Sequence, residues 1–152
     1  WGHPVALHLV GLANGQQEAQ LREQAQRAGL EHFQITGYIT DEQYRDWVLA
    51  VDLGVQLRIS PLLGVSGPLS DFAAYGTPAV ASNGLCIDVD TPPFIHRLPD
   101  AVSPVIVAEA IEQTLANPMD PQDLETQRLG YLEEKSPRKY AELLLDILQE
   151  QR

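Results

Sequence analysis

The chain is poor in cysteine, in basic residues and in long apolar runs, and each shortage closes off a class of function. Cys86 is the only cysteine among 152 residues, which rules out an internal disulfide and any zinc site built from several thiolates. The four histidines, His3, His8, His32 and His96, show no i, i+4 pairing, the spacing that sets two imidazoles on one helical face for a metal. Ten lysines and arginines stand against 21 aspartates and glutamates, a formal charge of -11. Nucleic-acid affinity comes largely from cations that neutralise phosphates, so no nucleic-acid partner is expected. No apolar run is long enough to cross a bilayer. The segment that begins at Trp1 has neither a basic n-region nor a small-residue cleavage site. The expected location is cytoplasmic, with any peripheral membrane association arising through a larger parent protein.

What the chain does contain is the composition of a folded protein. Hydrophobic residues make up 44% and charged residues 20%, which is too apolar for wholesale disorder. The length suits a single domain over residues 1–152.

Strand-like and helix-like segments alternate. Pro4 to Val10 is a near-continuous apolar run of the type seen in buried parallel strands. A Gly/Asn turn from Gly11 to Gly15 leads into a helix over Glu18 to Gly29, where Leu21, Ala25 and Ala28 share a face and Gly29 supplies the stop. Phe33 to Thr36 reads as a second strand, and Thr40-Asp-Glu-Gln43 has the spacing of a capping box that opens a second helix. Val51 to Leu57 reads as a third strand, followed by an irregular stretch from Ser60 to Ser66. Gly67-Pro68 opens a third helix, closed by Gly76 before a fourth strand over Ala79 to Ser82. Asn83 to Pro93 reads as a loop with a short strand at Cys86 to Val89, and Phe94 to Leu98 as another strand. Three helices complete the chain, from Ser103-Pro104 to Asn117, from Pro121 to about Leu132, and from Ser136-Pro137 to about Leu148.

This alternation predicts an α/β, Rossmann-like fold, a parallel sheet with helices on both faces. Ligands of such sheets bind beyond the carboxyl ends of the strands. The candidate loops are therefore Gly11–Gly15, Gly37–Thr40, Arg58–Gly67 and Ser82–Gly84. Gly11-Leu-Ala-Asn-Gly15 lacks the spacing of a dinucleotide-binding turn.

Leu62 to Ser82, LLGVSGPLSDFAAYGTPAVAS, is the most informative stretch. Gly64 and Gly67 would let backbone approach a ligand closely, and the amides of Ser66 and Gly67 would sit at the positive end of a helix dipole, suited to an anion. Asp71, one turn further on, could accept hydrogen bonds from vicinal hydroxyls or simply favour its helix end electrostatically. Arg58, at the ligand end of a strand, could pair with a phosphate or a donor carboxylate, or stand as a surface strand-end arginine. Tyr38 could border a base or pack as an ordinary aromatic. His8 and Cys86 read best as core residues.

The same stretch resembles the donor-binding segment of glycosyltransferase family 4 and its GT-B relatives. Gly64-Val65-Ser66 stands where the family has Gly-Phe-Gly, Pro68 falls on a frequent proline, and Gly76-Thr77-Pro78-Ala79-Val80 matches Gly-x-Pro and the following strand. Asp71 stands at the family's second glutamate and Leu63 at its first. Phe33 to Ile39, Tyr44 to Leu57 and the closing helices add weaker likenesses in the same order. The resemblance implies the C-terminal half of a GT-B fold, the donor nucleotide-sugar-binding domain of a two-domain transferase whose N-terminal acceptor-binding domain lies outside this sequence. Gly37 and Tyr38 would then border the base, the Ser66 and Gly67 amides the diphosphate and Asp71 the ribose, with Arg58, Gly64 and Val65 counted among the donor-binding residues. Leu63 leaves the donor sugar without the family's first carboxylate. The donor would be a UDP- or GDP-linked sugar, with no other cofactor, no obligatory metal and no catalytic residue in this chain itself. Two rivals share the pattern: a nucleotide-sugar 2-epimerase-like enzyme, and a non-catalytic domain that keeps the fold for binding or assembly.

Overall fold

Local signals of capping and breaking decide where each element starts and stops. In a computed structural model, which describes residues 5–58 and 65–150, the order is β1 (Ala6–Leu9), α1 (Gly15–Arg27), β2 (His32–Ile35), α2 (Asp41–Ala50), β3 (Gly54–Gln56), α3 (Gly67–Tyr75), β4 (Ala79–Ser82), α4 (Asn83–Val89), β5 (Ile95–Leu98), α5 (Pro104–Ala116), α6 (Pro121–Glu134) and α7 (Pro137–Glu150). The chain is α/β, with parallel strands alternating with helices in a Rossmann-like manner. It divides into two compact units, Trp1–Trp47 and Val48–Arg152.

In the first unit β1 and β2 pair in parallel, Ala6 opposite His32 through Leu9 opposite Ile35, with α1 as the crossover. α1 begins three residues before the expected Glu18, because Asn14 and Gln17 form a reciprocal capping box that satisfies two otherwise orphaned amides. The box at Thr40 and Gln43 also forms, with bonds of 3.0 and 3.2 Å. Gly11 and Gly37, both with positive φ, bridge the ends of the two strands, and the Gly11 amide donates to Thr36 Oγ1 at 3.0 Å. The His8 ring lies 4.6 Å from the Trp47 ring, centroid to centroid.

The second unit holds three parallel strands in the order β3-β4-β5. Partners in register point to the same face, and successive residues to opposite faces. One face carries Val80 and Leu98, which cluster with Ala110, Val107 and Ile111 of α5. The other carries Gly54 and Ala79, where the Phe72 ring of α3 lies so close over Gly54 that an added Cβ would sit 2.4 Å from it. Helices therefore cover both faces of this sheet, and all four residues of β4 are buried. Full burial of a side chain such as Val80 or Leu98 stabilises by about 1.5–3 kcal/mol.

α3 starts at Ser66, whose Oγ accepts from the Leu69 amide, and ends at Gly76 in the left-handed region with φ 77°. A Cβ on Gly76 would also press on Leu124 and Arg128 of α6. Thr77 Oγ1 donates to the Val48 carbonyl at 2.8 Å and anchors the turn into β4.

One element departs from expectation. Cys86 to Val89, read as a short strand, belongs to helix α4. Leu85, Cys86 and Val89 are buried while Ile87 and Asp88 are exposed, a helical spacing that a short apolar run does not separate from a strand's alternation. Asp90, the one non-glycine residue with positive φ among those described, closes the helix. The third strand is also shorter than expected, three residues rather than seven.

Candidate functional site

Because α3 is the crossover from β3 to β4, its N-terminus lies beyond the carboxyl ends of the strands. The same rim carries Arg58 after β3, Ser82 at the end of β4, Asp100 after β5, and Ser103, the N-cap of α5. Its hydrogen bonds are specific. The Arg58 amide donates to Ser82 Oγ at 2.8 Å, which ties the ends of β3 and β4 together. Ser82 consequently makes no side-chain cap for α4. The Asp100 carboxylate takes over that end of α4 instead, accepting from the Gly84 amide at 2.8 Å.

The amides at the start of α3 can be followed one by one. Pro68 has no N–H, and the Leu69 N–H is held by the Ser66 side chain. That leaves the Ser66 and Gly67 amides, neither of which has a partner among the described residues. Ser66 is 3% exposed. Gly67 is exposed, and a Cβ built on it meets nothing within 4 Å among the described residues, so space is open beside Gly67, whereas Ser66 itself is buried. Val65 beside them is largely exposed.

Asp71 lies part-buried on α3 near Tyr131 of α6. Burial pushes the Tyr131 hydroxyl above the usual phenol range, a hydrogen bond with Ser70 opposes this, and the carboxylates of Asp90 and Asp71 add to the rise. The Asp71 carboxylate is therefore felt within the α3–α6 packing. Gly64 lies outside the described residues, as does Leu63.

Gly37 and Tyr38 belong to the first unit. Gly37 adopts φ 70°, which only glycine takes readily. Tyr38 follows it with 79% of its surface exposed, so it is not the packing aromatic of the alternative reading. In this unit an open cavity of about 370 Å³ lies at the carboxyl end of β1, lined by Leu9, Gly11, Ala13, Gln17, Leu21 and Ile35.

A larger cavity of about 520 Å³ in the second unit lies at the opposite end of the strands, with Pro78, Phe94, His96 and Met119 in its wall. It contains none of the rim residues and is set aside on topology, since amino ends of strands face crossover returns rather than helix N-termini. Among the described residues no group of three His, Cys, Asp or Glu side chains is placed to hold a metal ion, and no helix is long and apolar enough to cross a membrane.

Two rim contacts escaped the sequence reading. Ser82 was placed in a candidate loop without a role, and Asp100 was not singled out. An aspartate two residues past a strand end, in Leu98-Pro99-Asp100, is the signal that could have found the second. No family model matches this chain, and no curated protein matches it either.

Proposed function

We propose that the rim of the second unit binds the diphosphate of a nucleotide-sugar, as the donor-binding domain of a GT-B-type glycosyltransferase. The observation that carries this reading is the pair of amides at Ser66 and Gly67 without a partner among the described residues, at a helix N-terminus beyond the carboxyl ends of three parallel strands. Two such amides and the helix dipole offset the unfavourable field of an acidic chain locally. The Arg58 side chain, exposed on the same rim, would add a cation to the diphosphate. In the whole enzyme this electrostatic hold would stabilise the departing diphosphate without an obligatory metal, while a second domain supplied a glycan, lipid-linked or small-molecule acceptor.

A second reading, a non-catalytic binding domain, is favoured by a specific observation. Pro68 and the Ser66 cap reduce the amides available at α3, and the Asp100 carboxylate already occupies the amide at α4. Titration of the isotopically labelled protein with UDP, GDP, UDP-glucose and GDP-mannose decides between them. Donor binding shifts the Ser66, Gly67 and Leu69 amide signals saturably, and to the same extent with a chelator present. Amide signals that stay still with every nucleotide leave the non-catalytic reading standing and remove the transferase.

A further inference from the structure

We propose that α7 pairs with α7 of a second copy of this chain, antiparallel, along its apolar face. The helix runs fourteen residues, Pro137–Glu150, about 21 Å at 1.5 Å per residue. Every residue from 137 to 149 is exposed. Yet Tyr140, Leu143, Leu144, Ile147 and Leu148 fall within an arc of about 140° at 100° per residue. Leu143 alone leaves 56% of its surface open to solvent. A stripe of five large apolar side chains is a face without a partner in this unit.

Charge identifies the partner and its direction. On one flank of the stripe, Lys139 and Asp146 lie two turns apart and within about 20° of each other around the axis. The opposite flank carries Ala141 and Leu145 and no charge. A two-fold axis perpendicular to the helices brings like flanks together with the direction reversed, so Lys139 of each copy meets Asp146 of the other. A parallel pair would set the charged flank against the apolar one and leave both ions unpaired. Antiparallel packing also opposes the two helix dipoles favourably. Neither Lys139 nor Asp146 has an ion partner among the described residues, whereas Arg138 is already engaged with Glu133 and Glu142. A membrane surface fits less well. The polar side sets Arg138 and Lys139 against Glu142 and Asp146 rather than presenting a basic stripe.

One pair of helices of this length buries less than the roughly 1,200 Å² of a standard stable interface, so the pairing is weak and concentration-dependent. Sedimentation equilibrium of the full chain should show the mass rising with concentration from 16.8 kDa toward twice that value. Ile147→Glu should abolish the rise. Lys139→Asp alone should weaken the pairing about tenfold at low salt, and Asp146→Lys likewise. The two together should restore it, since the ion pair is re-formed with its signs exchanged. These side chains are all exposed, so a loss of association with an unchanged helical circular dichroism signal is not a folding defect. A monomer at about 1 mM would overturn the proposal. So would association that ignores the charge reversals, or a monomer that instead sediments with phosphatidylglycerol vesicles.

Discussion

β1 and β4 are both four-residue parallel strands drawn from apolar sequence, and they meet different fates. β4, Ala79–Ser82, is hydrogen-bonded on both edges and covered by α3 on one face and α5 on the other, and none of its residues reaches solvent appreciably. β1, Ala6–Leu9, pairs with one strand in its unit, and Leu7 keeps 38% of its surface exposed. Two segments of similar apolarity thus differ widely in burial. Side-chain apolarity sets what a strand gains by burial, but whether it is buried depends on how many elements arrive to cover it.

Four measurements would break or sharpen this contrast. The largest effect is expected for Leu69→Ala, which removes a side chain with no exposed surface from the α3 side of the second sheet. Chemical denaturation should show a loss of about 3 kcal/mol, and a loss below 1 kcal/mol would mean that this sheet is no better packed than the first. Gly54→Ala comes next. The added methyl meets the Phe72 ring, and about 2 kcal/mol of overpacking strain is expected, read as a lowered denaturation midpoint.

Cys86 tests the same core by titration. Burial pushes its thiol above the ordinary range, with the nearby Thr91 hydroxyl and Arg97 opposing and Asp100 adding to the rise. The native state then keeps a proton that the unfolded chain releases above about pH 8.5. Stability from this source is complete below that pH and falls as the pH rises through the folded value. Thiol reagents should label Cys86 only as fast as the protein unfolds, and rapid labelling at neutral pH would contradict its burial.

The smallest effect is expected in the first unit. His8 Nδ1 is buried without a hydrogen-bond partner, against the Trp47 ring. His8→Phe removes an unsatisfied polar atom at similar volume and should leave stability unchanged or raise it by up to about 1 kcal/mol. A loss larger than that would show that the imidazole has a partner worth keeping.

Much of the order of elements was legible because its signals are local. Gly67-Pro68, Gly76, Ser103-Pro104 and Ser136-Pro137 punctuate the chain by their own backbone geometry or capping chemistry, and helices begin or end at each. Thr40 and Gln43 form the expected box for the same reason. Asn14, equally local, passed unread as a cap within a turn signal. α4 was not legible, since Leu85-Cys86-Ile87 suits either period over so short a length, and packing against β4 and β5 decides for the helix. Of the candidate site, the position of Ser66 and Gly67 at a helix entrance followed from sequence, but the number of amides left without a partner among the described residues did not.

By itself, then, the amino-acid sequence determined the α/β alternation, most helix ends and the acidic character of the surface, because periodicity, capping and charge act within a few residues. Tertiary structure alone decided that β4 is enclosed while β1 is not, that Ser82 receives the Arg58 amide across 24 positions, and that Asp100 settles on α4. Those outcomes rest on contacts between distant segments, which become neighbours only once the crossovers have packed.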